Sequence, residues 1–341
     1  MTTSWTTRGR RRRPATTVLV AVAGLTLTAC ATTDSASSSA SGNDSGSAVS
    51  RLQLMAPADP GGGWDGTARA MAASIEGAGL AESTTVTNVP GAGGTIGLAQ
   101  LANEKSEDYL MVMGLVMVGA IETNQSPATL DDVTPIARLT AEDEIIVVPA
   151  DSPYKTIQDL GDDLAARGRK VAIAGGSAGG TDHIVAGLLA KAVGAAPTDL
   201  NYVAFSGGGE SLAALLGSKV AAGVSGVSEY AEQVKAGKLR ALAVTGPERV
   251  DGIDAPTLTE AGYDIEFINW RGVVAPKALS AEATDRLVTL VTEMHDSPEW
   301  KEALATNGWT DTFLAGDEFA SFIEAERETT TTVLRDLGLV G

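Results

Sequence analysis

Four glycine-rich turns carry most of the chemistry that can be read from this chain. They are Pro60-Gly61-Gly62-Gly63-Trp64-Asp65, Pro90-Gly91-Ala92-Gly93-Gly94-Thr95, Gly175-Gly176-Ser177-Ala178-Gly179-Gly180-Thr181 and Ser206-Gly207-Gly208-Gly209-Glu210. Each opens a stretch with helical apolar spacing. A glycine turn at a helix N-terminus leaves backbone N–H groups free and adds the positive end of the helix dipole, a combination that holds anions. Thr95 and Thr181 can cap their helices or donate a hydroxyl to an anion, and Ser177 lies inside its turn. Asp65, in a first helical turn, suits ordering the Gly61-Gly62-Gly63 segment better than touching an anion. His183 also falls in a first turn, where the dipole disfavours positive charge, so a neutral hydrogen-bonding imidazole is expected.

Other residues divide between roles. Trp64 shares a helix face with Ala68, Met71 and Ile75 and can serve as cavity wall or core. Trp270 and Arg271 offer an aromatic wall and a counter-ion, with a surface salt bridge as the plainer role for Arg271. Glu142-Asp143-Glu144 reads as a solvated segment, and His295 as a surface charge at a helix end. A valine at Gly93 is expected to fill the space where an N–H meets an anion while leaving the fold intact.

Nucleotide and catalytic readings fail on spacing. No turn ends in Gly-Lys-Ser/Thr, and Gly91 to Gly97 misses the Gly-x-Gly-x-x-Gly fingerprint by one residue. Ser177, Asp182 and His183 superficially offer a hydrolase set, but there is no Gly-x-Ser-x-Gly elbow, and nearness in sequence does not make a dyad. With two histidines and one cysteine, at position 30, thiolate metal sites and disulfides are excluded from the body. No catalytic residue, metal or cofactor is assigned.

The elements that hold the turns alternate. Strand-like Arg51 to Ala56, Thr85 to Asn88, Val171 to Ala174 and Tyr202 to Phe205 each run into a glycine turn and then a helix. Ile145 to Val148 reads as a buried strand bounded by Pro149, with further strands at Val220 to Val224 and Leu239 to Val244. Late helices are expected over Ala281 to His295 and Asp317 to Leu337. This pattern predicts an α/β fold with largely parallel sheets, ligands sitting beyond the carboxyl ends of the strands.

The N-terminal segment is an export signal in appearance. Arg8 and Arg10 to Arg13 precede an apolar run from Val18 to Leu27, then Leu27-Thr28-Ala29-Cys30. That tetrapeptide resembles a bacterial lipobox, which implies lipidation of Cys30 and an anchor in the membrane. Residues 1–29 are then the signal peptide, and 30–50 the lipidated Cys and a flexible polar tether. The arginine run also fits twin-arginine export, though no Phe-Leu-Lys follows it. Formal charge is −18, and removing the five signal arginines with no acid lost leaves −23. Such a surface repels nucleic acid and anionic lipid, and an anion site must win locally through N–H donors and few cations.

The order of motifs resembles the extracytoplasmic substrate-binding proteins of the tripartite tricarboxylate transporter family, the Bug proteins. Pro60 to Asp65 with Ala68-Arg69 is similar to that family's first Pro-Gly-Gly turn. Asn88-Val89-Pro90-Gly91-Ala92-Gly93-Gly94 with Gly97, Gly175 to Thr181 with His183, and Trp270-Arg271-Gly272-Val273-Val274-Ala275-Pro276 follow its later motifs. Phe205-Ser206-Gly207 resembles Tyr-Lys-Gly, but Ser206 stands where many members carry Lys or Arg, and Glu210 adds a carboxylate to that turn. The resemblance implies a two-lobe, type II periplasmic-binding-protein-like fold with two crossover strands and a ligand cleft. Mapped here, lobe one is 51–141 plus 267–341 and lobe two is 142–266. The resemblance also implies a small di- or tricarboxylate ligand at Gly62, Gly63, Trp64, Asp65, Gly91, Ala92, Gly93, Gly94, Thr95, Ser177, Gly179, Gly180, Thr181, His183, Ser206, Gly207, Gly208, Trp270 and Arg271. It implies delivery to a permease of one large and one small membrane subunit, by a monomer held at the outer face of the cytoplasmic membrane or in the periplasm. A lipoprotein that signals to a membrane sensor is the alternative.

Overall fold

The computed structural model describes residues 49–341, so the signal, Cys30 and nearly all of the tether lie outside the described residues. The fold extends slightly before the predicted body. Val49 is buried and bridges to Ala81, so the end of the predicted tether is part of the fold.

The elements run β1 (Leu52–Ala56), α1 (Gly63–Gly77), β2 (Thr84–Asn88), α2 (Thr95–Leu101), β3 (Tyr109–Gly114), α3 (Leu115–Thr123) and β4 (Val133–Pro149). There follow α4 (Ile157–Arg167), β5 (Ala172–Gly175), α5 (Thr181–Ala192), β6 (Asn201–Ala204), α6 (Gly208–Leu216), β7 (Ala222–Gly226), α7 (Val227–Lys235) and β8 (Leu239–Val244). The chain ends with β9 (Ile268–Pro276), α8 (Ala281–Asp296), α9 (Pro298–Asn307), β10 (Thr310–Ala315) and α10 (Gly316–Asp336).

The α/β class holds, but the sheet is mixed rather than largely parallel. Strand order is β2-β1-β3-β9-β4-β7-β5-β6, with β8 and β10 also on β4. The strands that feed the glycine turns pair in parallel, β1 with β2 and β5 with β6. Every pairing of β4 and β9 is antiparallel.

β4 joins the two halves. The expected strand Ile145 to Val148 is only the end of this 17-residue element. Its first part pairs with β9 and β10, its last part with β7 and β8. Pro135 is accommodated by a shift of register between Pro135 and Ala137. In the last part, Ile145 and Val147 join one apolar cluster and Ile146 and Val148 another, the two-sided burial of a central strand. The first half has its own core, in which Leu52, Leu54, Met71, Trp300 and Phe319 are fully buried. α10 spans both: Phe319 and Ile323 enter that core, while Leu334 and Leu337 pack on Ile184 of α5. No helix among the described residues is long and apolar enough to cross a membrane.

Candidate ligand-binding site

All four glycine turns line one cavity, of about 580 Å3 counting its mouth. Gly62, Gly63 and Trp64 come from the first turn, and Gly91, Gly93 and Gly94 from the second. Gly176, Ser177, Thr181 and Asp182 come from the third, and Ser206, Gly207 and Gly208 from the fourth. Arg271 and Asn269 of β9 and Glu229 of α7 complete the polar wall. The turns meet across the gap: a Cβ on Gly207 would stand 3.8 Å from Gly62 Cα, and one on Gly93 would stand 3.4 Å from Ser177 Cβ.

The second turn is built for close approach. Gly91, Gly93 and Gly94 all have positive φ, and so does Ala92 at 51°. Ala92 is held there by its carbonyl, which accepts from Thr95 Oγ1 at 2.9 Å and Asn124 Nδ2 at 3.0 Å. Thr95 is therefore an internal brace, and neither it nor Ala92 lines the cavity. A Cβ on Gly94 would stand 2.6 Å from the Trp64 indole, so Trp64 both lines the cavity and packs the loop.

Several residues expected at the ligand serve the scaffold instead. Asp65 accepts from the Gly61 N–H at 2.9 Å, from Asn88 Nδ2 at 2.9 Å and from Arg69 Nε at 2.9 Å, and does not line the cavity. Burial opposes its charge, but Arg69, the Gly61 amide and Asn88 hold its carboxyl below the usual value. Its expected ordering role is what the geometry shows. His183 Nδ1 accepts from the Gly179 N–H at 3.1 Å, and its ring stacks on Tyr202 at 4.1 Å. Burial lowers its pKa to about 4, so it is neutral at physiological pH. His183, Gly179 and Gly180 lie beside the cavity rather than on it, and no hydrogen bond joins Ser177 to His183. Trp270 is core, edge-on to Phe319 and Phe322 with its indole N–H donating to Glu326 at 2.8 Å.

The acidic triplet is the main correction. Glu142 and Glu144 are buried, not solvated, because β4 carries them through the junction of the two halves. Arg271, 3% exposed, bonds Glu142 Oε1 in a buried ion pair rather than a surface one, and reaches Thr67 Oγ1 at 3.4 Å. Glu142 Oε2 also accepts from the Ser228 N–H at 3.1 Å. Glu144 Oε1 accepts from Asn269 Nδ2 at 2.9 Å. Burial first, then the charges of Asp182, Glu142 and Glu229, push the Glu144 carboxyl well up.

Asp182, Glu229 and Asn269 have no matching signal in the turn pattern. Asp182 accepts from the Gly176 N–H at 2.5 Å and from Thr181 Oγ1 at 2.8 Å. Glu229 lies against Gly208 and accepts from the Ser225 hydroxyl. Glu210 accepts from the Ser206 N–H at 3.0 Å and stays outside the cavity, so it does not oppose a ligand. Three of the four turns thus already hold a carboxylate of the chain itself: Asp65, Asp182 and Glu210. The amides of Gly63 and Trp64, at the first positions of α1, have no intrahelical acceptor and line the cavity beside Arg271.

The comparisons agree with this architecture. The family model described as "Tripartite tricarboxylate transporter family receptor" matches residues 67–339. The chain is 28% identical over 299 residues to Protein BugT of Bordetella pertussis, spanning 84% of this chain and 89% of BugT. It shares its two-lobe fold with the periplasmic binding protein BugD, at 24% identity and a TM-score of 0.76, covering 85% of this chain and 98% of BugD. MatC of Rhodopseudomonas palustris, solved with bound malate, superposes at 22% identity and a TM-score of 0.73, over 83% and 99% of the two chains. A family match over most of the sequence, on top of a shared fold and a cavity between glycine turns, makes this chain a member of the tripartite tricarboxylate transporter receptor family.

Proposed function

We propose that this chain is an exported solute-binding protein, lipid-anchored at Cys30, that captures a small carboxylate between two jaws and delivers it to a permease of large and small membrane subunits. Lobe one, 51–141 with 267–341, carries the first and second turns and Arg271. Lobe two, 142–266, carries the third and fourth turns. The observation that carries this reading is the convergence of all four turns on one cavity. The malate bound to MatC supports a carboxylate as the class of ligand. The ligand carboxylate lies against the Gly63 and Trp64 amides and Arg271, with Gly91, Gly93, Gly94 and Ser177 closing over it.

A thermal-shift screen of the purified chain against mono-, di- and tricarboxylates tests this. A ligand at ~100 times its dissociation constant stabilises by ~2.7 kcal/mol, a plainly visible rise in melting temperature. Turnover of a ligand, or no shift with any carboxylate, would count against it. Anchoring is tested separately by Cys30→Ser, which is expected to release the protein or leave it unprocessed. Delivery is tested by uptake of the identified ligand in a strain lacking this chain.

A further inference from the structure

Around the cavity, carboxyls outnumber cations. Asp182 and Glu229 line it, and Glu142 and Glu144 of β4 are buried beside them. Arg271 is the one cation lining this cavity among the described residues, and it is already bonded to Glu142. Ionised together, Glu144, Asp182 and Glu229 would have no cation of their own. A buried charge without a partner is expensive, and a carboxyl so placed keeps its proton instead.

The hydrogen bonds show where a proton is needed. Glu144 Oε1 accepts from Asn269 Nδ2 at 2.9 Å, but Glu144 Oε2, in a fully buried side chain, has no partner. The neighbouring donors are committed elsewhere. Arg271 bonds Glu142 and Thr67, Thr181 bonds Asp182, and Ser225 bonds Glu229. The Tyr202 hydroxyl donates to the Gly176 carbonyl at 2.9 Å, and that of Tyr230 pairs with Ser211 at 2.6 Å. Asp182, in contrast, already receives the Gly176 N–H and the Thr181 hydroxyl. It also sits in the first turn of α5, where the helix dipole favours a carboxylate. Glu144 lies within hydrogen-bonding reach of it. The carboxyl with a bare oxygen thus neighbours the carboxylate best supplied with donors.

We propose that Glu144 carries a proton on Oε2 and donates it to Asp182, and that capture of the carboxylate ligand weakens when this proton is lost. This rests on the carboxylate reading above and adds its regulation by pH. The groups facing Glu144 are Glu142 on β4, Asp182 on α5, Tyr202 on β6, Glu229 and Tyr230 on α7, and Arg271 on β9. Burial raises both carboxyls of the pair. The Gly176 amide and Thr181 draw Asp182 part of the way back, while Asp182, Glu142 and Glu229 drive Glu144 further up against Arg271. Glu144 is a positioning residue. It acts through Asp182 on the third turn and through Asn269 on the cavity wall. Ionised, it would set a second negative charge beside Asp182 where the ligand's own charge arrives. An anion in the cavity therefore favours the protonated form, and affinity falls as pH rises through the titration of Glu144.

Infrared difference spectra of the ligand-free full chain test the proton itself. Wild type minus Glu144→Gln at pH 7 should show the C=O band of a neutral carboxyl, and labelling with 13C-glutamate should shift it. Should Glu144→Gln fail to fold by circular dichroism, the labelled band is sought in Glu229→Gln at pH 8, where it should persist. Absence of a neutral glutamate band would overturn the proposal whatever the chain binds. Calorimetry with malate and adipate then tests the coupling. From pH 6 to 9, affinity in wild type should fall at least about tenfold more than in Glu144→Gln, whose amide supplies a donor at every pH. That difference removes the part due to Glu229. Glu144→Ala, with no donor for Asp182, should bind more weakly than Glu144→Gln throughout. Equal pH profiles in wild type and Glu144→Gln would overturn the coupling to the ligand. A Gln variant as weak as the Ala variant would overturn Glu144 as a donor. A neutral glutamate band in a chain that binds no carboxylate would overturn the carboxylate reading and the coupling, and leave the proton assigned.

Discussion

At the scale of single residues, the buried Arg271 and Glu142 pair matters most. Both side chains are buried, and they bond each other. Arg271→Met leaves Glu142 buried with the Ser228 amide as its main remaining partner, and should destabilise the chain by about 3–5 kcal/mol in urea unfolding. A loss below about 1 kcal/mol is what a surface pair would give and would contradict the geometry. Glu229 and His183 shift in opposite senses with pH. Burial first, then the charges of Asp182 and Glu142, push Glu229 up to about 7 against the Ser225 hydroxyl and Arg271. The folded state therefore holds a proton on Glu229 that the unfolded chain releases above its ordinary value of 4.5, and that stability is lost as pH rises to about 7. For His183 the folded value near 4 lies below the unfolded 6.5, so its contribution is lost as pH falls through that interval. Melting curves of wild type and Glu229→Gln across pH 5 to 7.5 should converge or cross as pH rises, wild type giving up the larger share. Parallel curves would mean that Glu229 is ionised throughout. Of these residues, Asp65 and His183 were legible in the sequence because their partners lie within four residues. Glu142, Glu144 and Glu229 were not, because their burial follows from strands that meet across the fold.

At the scale of elements, the glycine turns were legible but their division of labour was not. Spacing located each turn, since strand, glycines and helix follow within a dozen residues. It could not show that Asp65, Asp182 and Glu210 bond back to amides of their own turns. Nor could it reveal β4 as one element, because Pro135 and the acidic triplet look like breaks in a strand. The expectation for Gly93 changes accordingly. Its φ is 61°, and a Cβ there would collide with the Ala120 methyl inside the same half. Gly93→Val should thus lower the melting temperature of the free protein, and any loss of binding would be entangled with that damage. Gly207 is the cleaner probe. Its φ of 169° is extended backbone open to any residue, and its Cβ would meet only Gly62 Cα across the gap, at 3.8 Å. Gly207→Val should melt within about 0.5 kcal/mol of wild type without ligand. Its branched side chain should still hold the jaws apart and remove most of the ligand-induced rise in melting temperature. A full rise in that variant would show that the two turns need not approach each other for binding.

At the scale of the whole molecule, the question is which contacts between the halves open and close. β4 is continuous through both, and β9 pairs with it as far as Asp143 and Ile268, so on the two-jaw reading proposed above this seam is the edge that stays fixed. On the same two-jaw reading, the contacts that part are the ones remote from it: Gly207 with Gly62, Ser177 with Gly93, and the seat of α10 on α5. That seat is tight, since a Cβ on Gly187 would stand 2.9 Å from the Leu337 side chain, which is itself 1% exposed. If Leu337 docks only in the closed form, a charge there taxes closure alone. A ligand that binds the closed form then pays for closing out of its own affinity. Leu337→Asp should weaken ligand binding by about tenfold or more, raise the radius of gyration of the partly saturated protein in solution scattering, and leave unliganded unfolding nearly unchanged. If instead α10 stays seated in both forms, the buried aspartate should cost several kcal/mol of stability with affinity unaltered, as an unpaired buried charge does. The first outcome would make the C-terminal helix part of the moving jaw, and the second would make it part of the frame.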